Sequence, residues 1–176
     1  MKKLPKQIST LIDAITNNKI QSVKPGAKLQ LGNLLCWVYN AKTKATLPVW
    51  DKLPLVILLD IPKRKYILGI NVHFIPWTYR INFVKSLQAN GTKVKYKDIK
   101  RAWQEAKIPG AYASLAIRKY LLNRIQSNIK IFRDPKDQME IVKNVLPDFQ
   151  KMPMAATYKA IDKRIKAQRQ KNKAKK

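Results

Sequence analysis

Residues 29–76 read LQLGNLLCWVYNAKTKATLPVWDKLPLVILLDIPKRKYILGINVHFIP, and this stretch decides how the rest of the chain is read. It concentrates strand-forming residues and carries the only cysteine, Cys36, and the only histidine, His73. Trp37, Val38 and Tyr39 mark a first strand within Leu29 to Asn40, because β-branched and aromatic side chains suit a pleated, half-buried surface. Asn40 to Lys44 is polar and connects. Pro54 to Asp60 is apolar on both faces, which predicts a strand buried on two sides. After a basic turn, Pro62-Lys63-Arg64-Lys65, the segment Tyr66 to Phe74 alternates and is expected to pair back as a hairpin, with Gly69 at a bulge. Three such strands predict an α+β fold built on a small, strongly bent antiparallel sheet or SH3-like barrel over 29–76. A helical region and a basic C-terminal tail follow.

Working outward, Leu4, Ile8, Leu11, Ile12 and Ile15 share one face at helical spacing and predict a short amphipathic helix over 5–18. After Pro76 the period changes. Helices are expected over Trp77 to Gln88, ending near Gly91, over Tyr96 to Ala106, and over Tyr112 to Ile125. Ile129 to Phe132 reads as one more strand, Asp134-Pro135 as a turn, and Met139 to Val145 is open between helix and strand. Ala155 to Lys166 is expected to be helical. Residues 163–176 lose their apolar face after Ile165, which predicts a tail that is disordered when free. The organisation is thus a lead-in over 1–28, one α+β domain over 29–152, and a basic tail over 153–176.

The charge balance narrows the function classes. Thirty-seven Lys and Arg stand against ten Asp and Glu in 176 residues, a formal +27. A folded domain of that charge repels itself unless a polyanion neutralises it, and simple solubility needs only a few units. An apolar fraction of 45% argues for a real core. No apolar run follows Met1-Lys2-Lys3, and no segment is long and apolar enough for a membrane, so neither export nor a membrane partner is expected. A lone cysteine flanked by Leu34, Leu35, Trp37 and Val38 reads as a buried small hydrophobe in a reducing compartment.

Catalytic material is scarce. One Cys and one His cannot build a zinc site, no glycine loop cradles phosphate, and no nucleophile elbow accompanies His73. Asp51 and Asp60 flank the central strand and are the weak basis of a nuclease reading. No cofactor, metal or small-molecule substrate is expected. His73 reads as a hydrogen-bonded structural residue at the sheet-to-helix junction, and Trp50, Tyr66, Trp77, Tyr79 and Trp103 read as core. The basic residues form the stronger signal: Lys42 and Lys44 in one loop, Lys63, Arg64 and Lys65 in another, and Lys93, Lys95, Lys97, Lys100 and Arg101 about a helix start. Lys163, Arg164, Lys166, Arg169, Lys171, Lys173, Lys175 and Lys176 make up the tail. Such groups neutralise phosphates without reading sequence, giving salt-sensitive affinity.

Three pieces of the central stretch carry a resemblance: Tyr39-Asn40-Ala41-Lys42-Thr43-Lys44, Leu47-Pro48-Val49-Trp50-Asp51-Lys52-Leu53-Pro54-Leu55-Val56-Ile57, and Leu68-Gly69-Ile70-Asn71-Val72-His73-Phe74-Ile75-Pro76. Together they resemble a family of small virion proteins of T4-like tailed bacteriophages, labelled DNA end protector or head-completion proteins. Val145 to Phe149 is similar to a late element of that family. Asn40-Ala41 replaces the family's Asp-Pro, and Val49-Trp50 its Tyr-Tyr, keeping a turn and an aromatic. The resemblance implies a non-enzymatic virion protein, assembled in the bacterial host cytoplasm, that binds DNA and other virion proteins. It brings no catalytic residues. Trp50, Asp51, Pro54, Gly69, Asn71 and His73 read as its structural signature, with Asp51 accepting turn amides and Asn71 and His73 sharing a face. Rival readings are a purely architectural neck or baseplate part, a basic RNA-binding or ribosome-associated protein, and a nuclease.

Overall fold

A computed structural model describes residues 29–47, 49–60, 65–91, 93–127, 129–145, 147 and 149–173. The amphipathic segment expected over 5–18 lies outside them, as do Pro48, Lys63, Arg64, Lys175 and Lys176. Seven strands are described: β1 (Leu34–Cys36), β2 (Trp50–Asp51), β3 (Leu55–Asp60), β4 (Tyr66–Asn71), β5 (Ile117–Leu121), β6 (Lys130–Phe132) and β7 (Phe149–Gln150). Five α-helices accompany them: α1 (Trp77–Gln88), α2 (Tyr96–Glu105), α3 (Ala113–Ala116), α4 (Pro135–Asn144) and α5 (Met154–Lys173).

The α+β class holds, but the barrel does not form. Five strands make an open antiparallel sheet in the order β5-β4-β3-β1-β6, while β2 leaves it to pair with β7. The strands within 29–76 therefore do not close on themselves. Both edges of the sheet, β5 and β6, are supplied by sequence beyond Pro76. The first strand is also shorter than expected, three residues followed by a separate bridge between Tyr39 and Ile125.

Alternation along β3 explains its apolar run. Leu55 and Ile57 join the larger core beneath the helices, with Phe74, Phe83, Ile99 and Ala102. Val56 and Leu58 face the opposite side, with Leu35, Trp37, Tyr39, Ile67 and Tyr120. Both faces of the sheet are thus covered. Cys36 is fully buried on the helix side, and burial pushes its thiol well above its ordinary range, which makes it an inert hydrophobe.

The helix α1 spans the expected residues, and α2 closes one residue earlier, at Glu105. Asp134 caps α4 by accepting from the Lys136 amide at 2.7 Å, with Pro135 in the first turn, so the expected turn is a helix start. The helix expected over Tyr112 to Ile125 is a correction. Only Ala113–Ala116 is α-helical, and Ile117–Leu121 pairs with β4 from Ile70↔Ile117 to Tyr66↔Leu121. Non-local pairing overrides local period here. The open edge of β4 needs a partner for its backbone groups, and Tyr120 drops edge-on between Trp37 and Tyr39 at 5.1 and 5.0 Å. At the C-terminus α5 continues to Lys173 where an unordered tail is expected, through a stretch dominated by Lys, Arg, Gln and Ala, without Gly or Pro.

Gly69 holds a close approach and not a bulge of its own; the register irregularity lies opposite, between Leu58 and Asp60 on β3. A Cβ on Gly69 would meet Val56 Cγ1 at 2.2 Å and the Ile57 carbonyl oxygen at 2.7 Å. Because one obstacle is backbone, Gly69→Ala is expected to lower stability by about 2–3 kcal/mol in chemical denaturation. A loss under about 0.5 kcal/mol would show that β3 and β4 are farther apart than described.

Candidate nucleic-acid interface

The frame of the site is set by a buried polar cluster. The Asp51 carboxylate accepts from the Leu53 amide at 3.1 Å and from Asn71 Nδ2 at 3.0 Å, and meets His73 Nδ1 at 2.6 Å. Asn71 ends β4 and caps the 3₁₀ turn Val72–Phe74, its Oδ1 accepting from the His73 amide at 3.0 Å. Its Nδ2 also donates to the Tyr120 hydroxyl at 3.0 Å, which ties β5 into the cluster. On the other side Tyr158 of α5 donates to the His73 carbonyl at 2.7 Å. Arg80 of α1, 2% exposed, donates through Nη2 to the Ile75 carbonyl at 3.2 Å and to the Tyr158 hydroxyl at 2.9 Å.

Burial lowers the His73 pKa below its ordinary 6.5, against the opposing pull of Asp51 through charge and hydrogen bond. The imidazole is therefore neutral near pH 7, and a proton on Nδ1 serves the carboxylate. Nε2 is buried and faces the Val145 backbone without a well-formed hydrogen bond. Both side chains of the Asp51–His73 pair are nearly solvent-free. Asp60, the other half of the nuclease reading, is exposed at the far end of β3 and contributes nothing to the cluster. Among the described residues no group of three His, Cys, Asp or Glu side chains could hold a metal ion, and no helix is long and apolar enough to cross a membrane.

Of the signature residues, Asp51, Asn71 and His73 meet directly, although the strand ends at Asn71 and His73 lies in the 3₁₀ turn after it and not on a shared strand face. Pro54 is buried just before β3. Trp50 is half-buried and packs on the smaller core. Arg80, Tyr120 and Tyr158 belong to the same cluster and escape sequence reading. Arg80 sits among apolar neighbours on an amphipathic helix, and nothing in its spacing marks it as buried.

The basic residues divide into separate groups. Along the β5 edge, Lys42, Arg118 and Lys119 line a hollow of about 330 Å³ with Thr43 and Trp50. Lys42, Lys65 and Arg124 line the next hollow with Leu121, Leu122 and Asn123, about 440 Å³. Lys119 also lies over the Tyr66 ring at 5.1 Å, and Arg118 over the Phe74 ring at 4.8 Å. Lys44 reaches back to Asn40 Oδ1 at 3.4 Å. Arg118, Lys119 and Arg124 are absent from the sequence-derived set because the segment reads as helix, which hides the edge they share.

A second group, Lys93, Lys95, Lys97, Lys100 and Arg101, surrounds the start of α2, away from the β5 hollows. There Arg101 is engaged with Asp98, Glu105 and Asn90. A third lies along α5, where Lys163 and Lys166 share a shallow hollow with Lys159 and Asp162. Arg164, Arg169, Lys171 and Lys173 are placed on the same helix by backbone alone. Two aromatics assigned to the core are instead at the surface: Trp77 is 55% exposed at the start of α1 and Tyr66 39% exposed.

Comparison with known proteins identifies one family. The model of the Phage T4 terminal DNA protecting protein family matches residues 6–170. No curated protein and no solved structure matches the chain.

Asp51→Ala leaves His73 Nδ1 and the Leu53 amide buried without their acceptor and takes one of two acceptors from Asn71 Nδ2. It is expected to cost about 3–5 kcal/mol in denaturant unfolding, and a cost below 1 kcal/mol would remove the cluster from its organising role. The His73 shift also has a sign. Because its folded pKa lies below 6.5, the unfolded chain binds the proton first, so this residue's contribution to stability falls as pH drops below about 6.5. Thermal midpoints between pH 7.5 and 5 should fall less steeply in His73→Gln than in the parent.

Proposed function

The chain belongs to the family of the Phage T4 terminal DNA protecting protein, and from this we propose that it protects DNA ends by occupying them. In this reading the protein is a non-enzymatic component of a phage particle that covers the terminus of the packaged genome, near the head–tail junction, and docks there on other virion proteins. Protection by occupancy needs affinity and a rigid shape, not a reacting group. The single observation that carries the reading is the β5 edge, where Lys42, Lys65, Arg118, Lys119 and Arg124 converge on two adjoining hollows. Among the described residues the only carboxylate in either lining, Asp51, is buried and already served by its own donors.

Contacts from lysine and arginine to phosphate are independent of base sequence and release condensed counterions, so affinity should fall steeply with salt. The formal +27 supplies attraction at long range, and the β5 edge the close contacts. The lysines of α5 and of the α2 start add to the field. The aromatic surface residue Tyr66 sits within the basic face and offers a ring to bases frayed from an end.

A salt titration against linear and covalently closed circular duplexes of one sequence tests this. Linear DNA should bind more tightly, with log affinity falling linearly in log salt. Lys42→Gln, Lys65→Gln and Lys119→Gln together should reduce the slope by about three, whereas Lys97→Gln with Lys100→Gln should change it less. Equal affinity for the circle would overturn end protection. No DNA binding at about 0.15 M salt would leave the chain an architectural part.

A further inference from the structure

We propose that the hollow lined by Lys42, Lys65 and Arg124 is a receptor for a terminal phosphomonoester, the phosphate carried by a DNA strand end. The inference rests on the end-protection reading and gives that reading a chemical basis for telling an end from an interior. Leu121 and Leu122 line the hollow together with Asn123, and none of the described residues in the lining is acidic.

Three features make this a built site and not a scatter of surface cations. First, backbone bonds fix the cationic residues relative to one another. The Leu122 amide donates to the Lys65 carbonyl at 3.0 Å, and the Asn40 amide donates to the Arg124 carbonyl at 3.0 Å. The Tyr39–Ile125 bridge lies next to Arg124 and holds the 40s loop, which carries Lys42, against the chain leaving β5. Second, Arg124 Nε is buried without a hydrogen-bond partner. A buried donor on a charged group left unserved carries a desolvation cost, so this guanidinium is incompletely satisfied by the described residues. Third, no carboxylate of the described residues forms an ion pair with Lys42, Lys65 or Arg124, although Arg101 on α2 makes two.

Three cations around one hollow favour the more highly charged form of phosphate. A diester within a strand carries one negative charge and is flanked by sugar on both sides. A monoester at a strand end carries between one and a half and two near pH 7 and presents three free oxygens. An arginine fork takes two of these oxygens in parallel, and two lysines can hold the third as point charges. Asn123 adds a neutral amide at the rim. Hydrolytic cutting of a duplex leaves phosphate on one side of each nick, so a freshly cut end presents this group.

The test uses short linear duplexes with 5′-phosphates, with 3′-phosphates, or with hydroxyls at all ends, and a closed circle, all at about 0.15 M salt. Full-length protein should bind one phosphorylated duplex about tenfold more tightly than the hydroxyl-ended one. Whichever polarity gives the gain identifies the strand end that is seated. The gain should disappear in Arg124→Gln and shrink in Lys65→Gln, with binding to the hydroxyl-ended duplex weakened far less. Circular dichroism melting of Arg124→Gln separates a lost contact from a lost fold, and Lys65→Gln, an exposed change, gives a second reading should Arg124→Gln fail to fold. Equal affinity for phosphorylated and hydroxyl ends, both above the circle, would overturn the receptor while leaving end recognition intact. Equal affinity for all four would overturn both.

Discussion

Between Asp51 and His73 runs a 2.6 Å contact at the centre of a cluster that joins five separate elements. Asp51 comes from β2, outside the main sheet; Asn71 and His73 from the end of β4 and the turn that follows; Tyr120 from β5; Tyr158 and Arg80 from α5 and α1. Asp51, Asn71, His73, Arg80 and Tyr120 are all buried, and a buried polar group that finds no partner opposes folding. That requirement acts as a register pin. Apolar burial is non-directional, but a carboxylate served by a backbone amide, an asparagine and an imidazole has one seat.

The same cluster connects fold to function. Tyr120 is held from beneath by Asn71 and on its flanks by Trp37 and Tyr39, which fixes β5 against β4. β5 in turn places Arg118 and Lys119 beside the 40s loop, and the residues just after it place Arg124 beside Lys65. The cationic edge is therefore a consequence of the buried anion: one carboxylate inside organises the strand that carries the positive charge outside. A surface of this kind needs rigidity, since lysines that must be ordered on binding give up affinity to side-chain entropy.

Much of this was legible before any coordinates. The α+β class, the buried Pro54–Asp60 segment, α1, most of α2 and the β6 strand follow from periodicity and turn residues. The structural signature from Trp50 to His73 follows from the family resemblance, and three of its members, Asp51, Asn71 and His73, meet in space. What periodicity could not supply was partnership across distance. Ile117–Leu121 carries spacing compatible with a helix, and only the open edge of β4 and the slot between Trp37 and Tyr39 make it a strand. Without that strand, nothing in the sequence groups Arg118, Lys119 and Arg124 with the other basic residues. Arg80 shows the same limit from the other direction, because an arginine on a helix face reads as solvated until a carbonyl and a tyrosine hydroxyl are found waiting for it.

The central claim is that the β5 edge, and neither the α2 lysines nor α5 alone, is the face that meets DNA. Amide hydrogen exchange measured with and without a linear duplex tests it most directly. The account predicts that DNA slows exchange in residues 40–47, 65–67 and 117–125, with the interior strand β3 unchanged because it is protected already. Slowing confined to residues 93–101, or to the helix over 154–173, would contradict it.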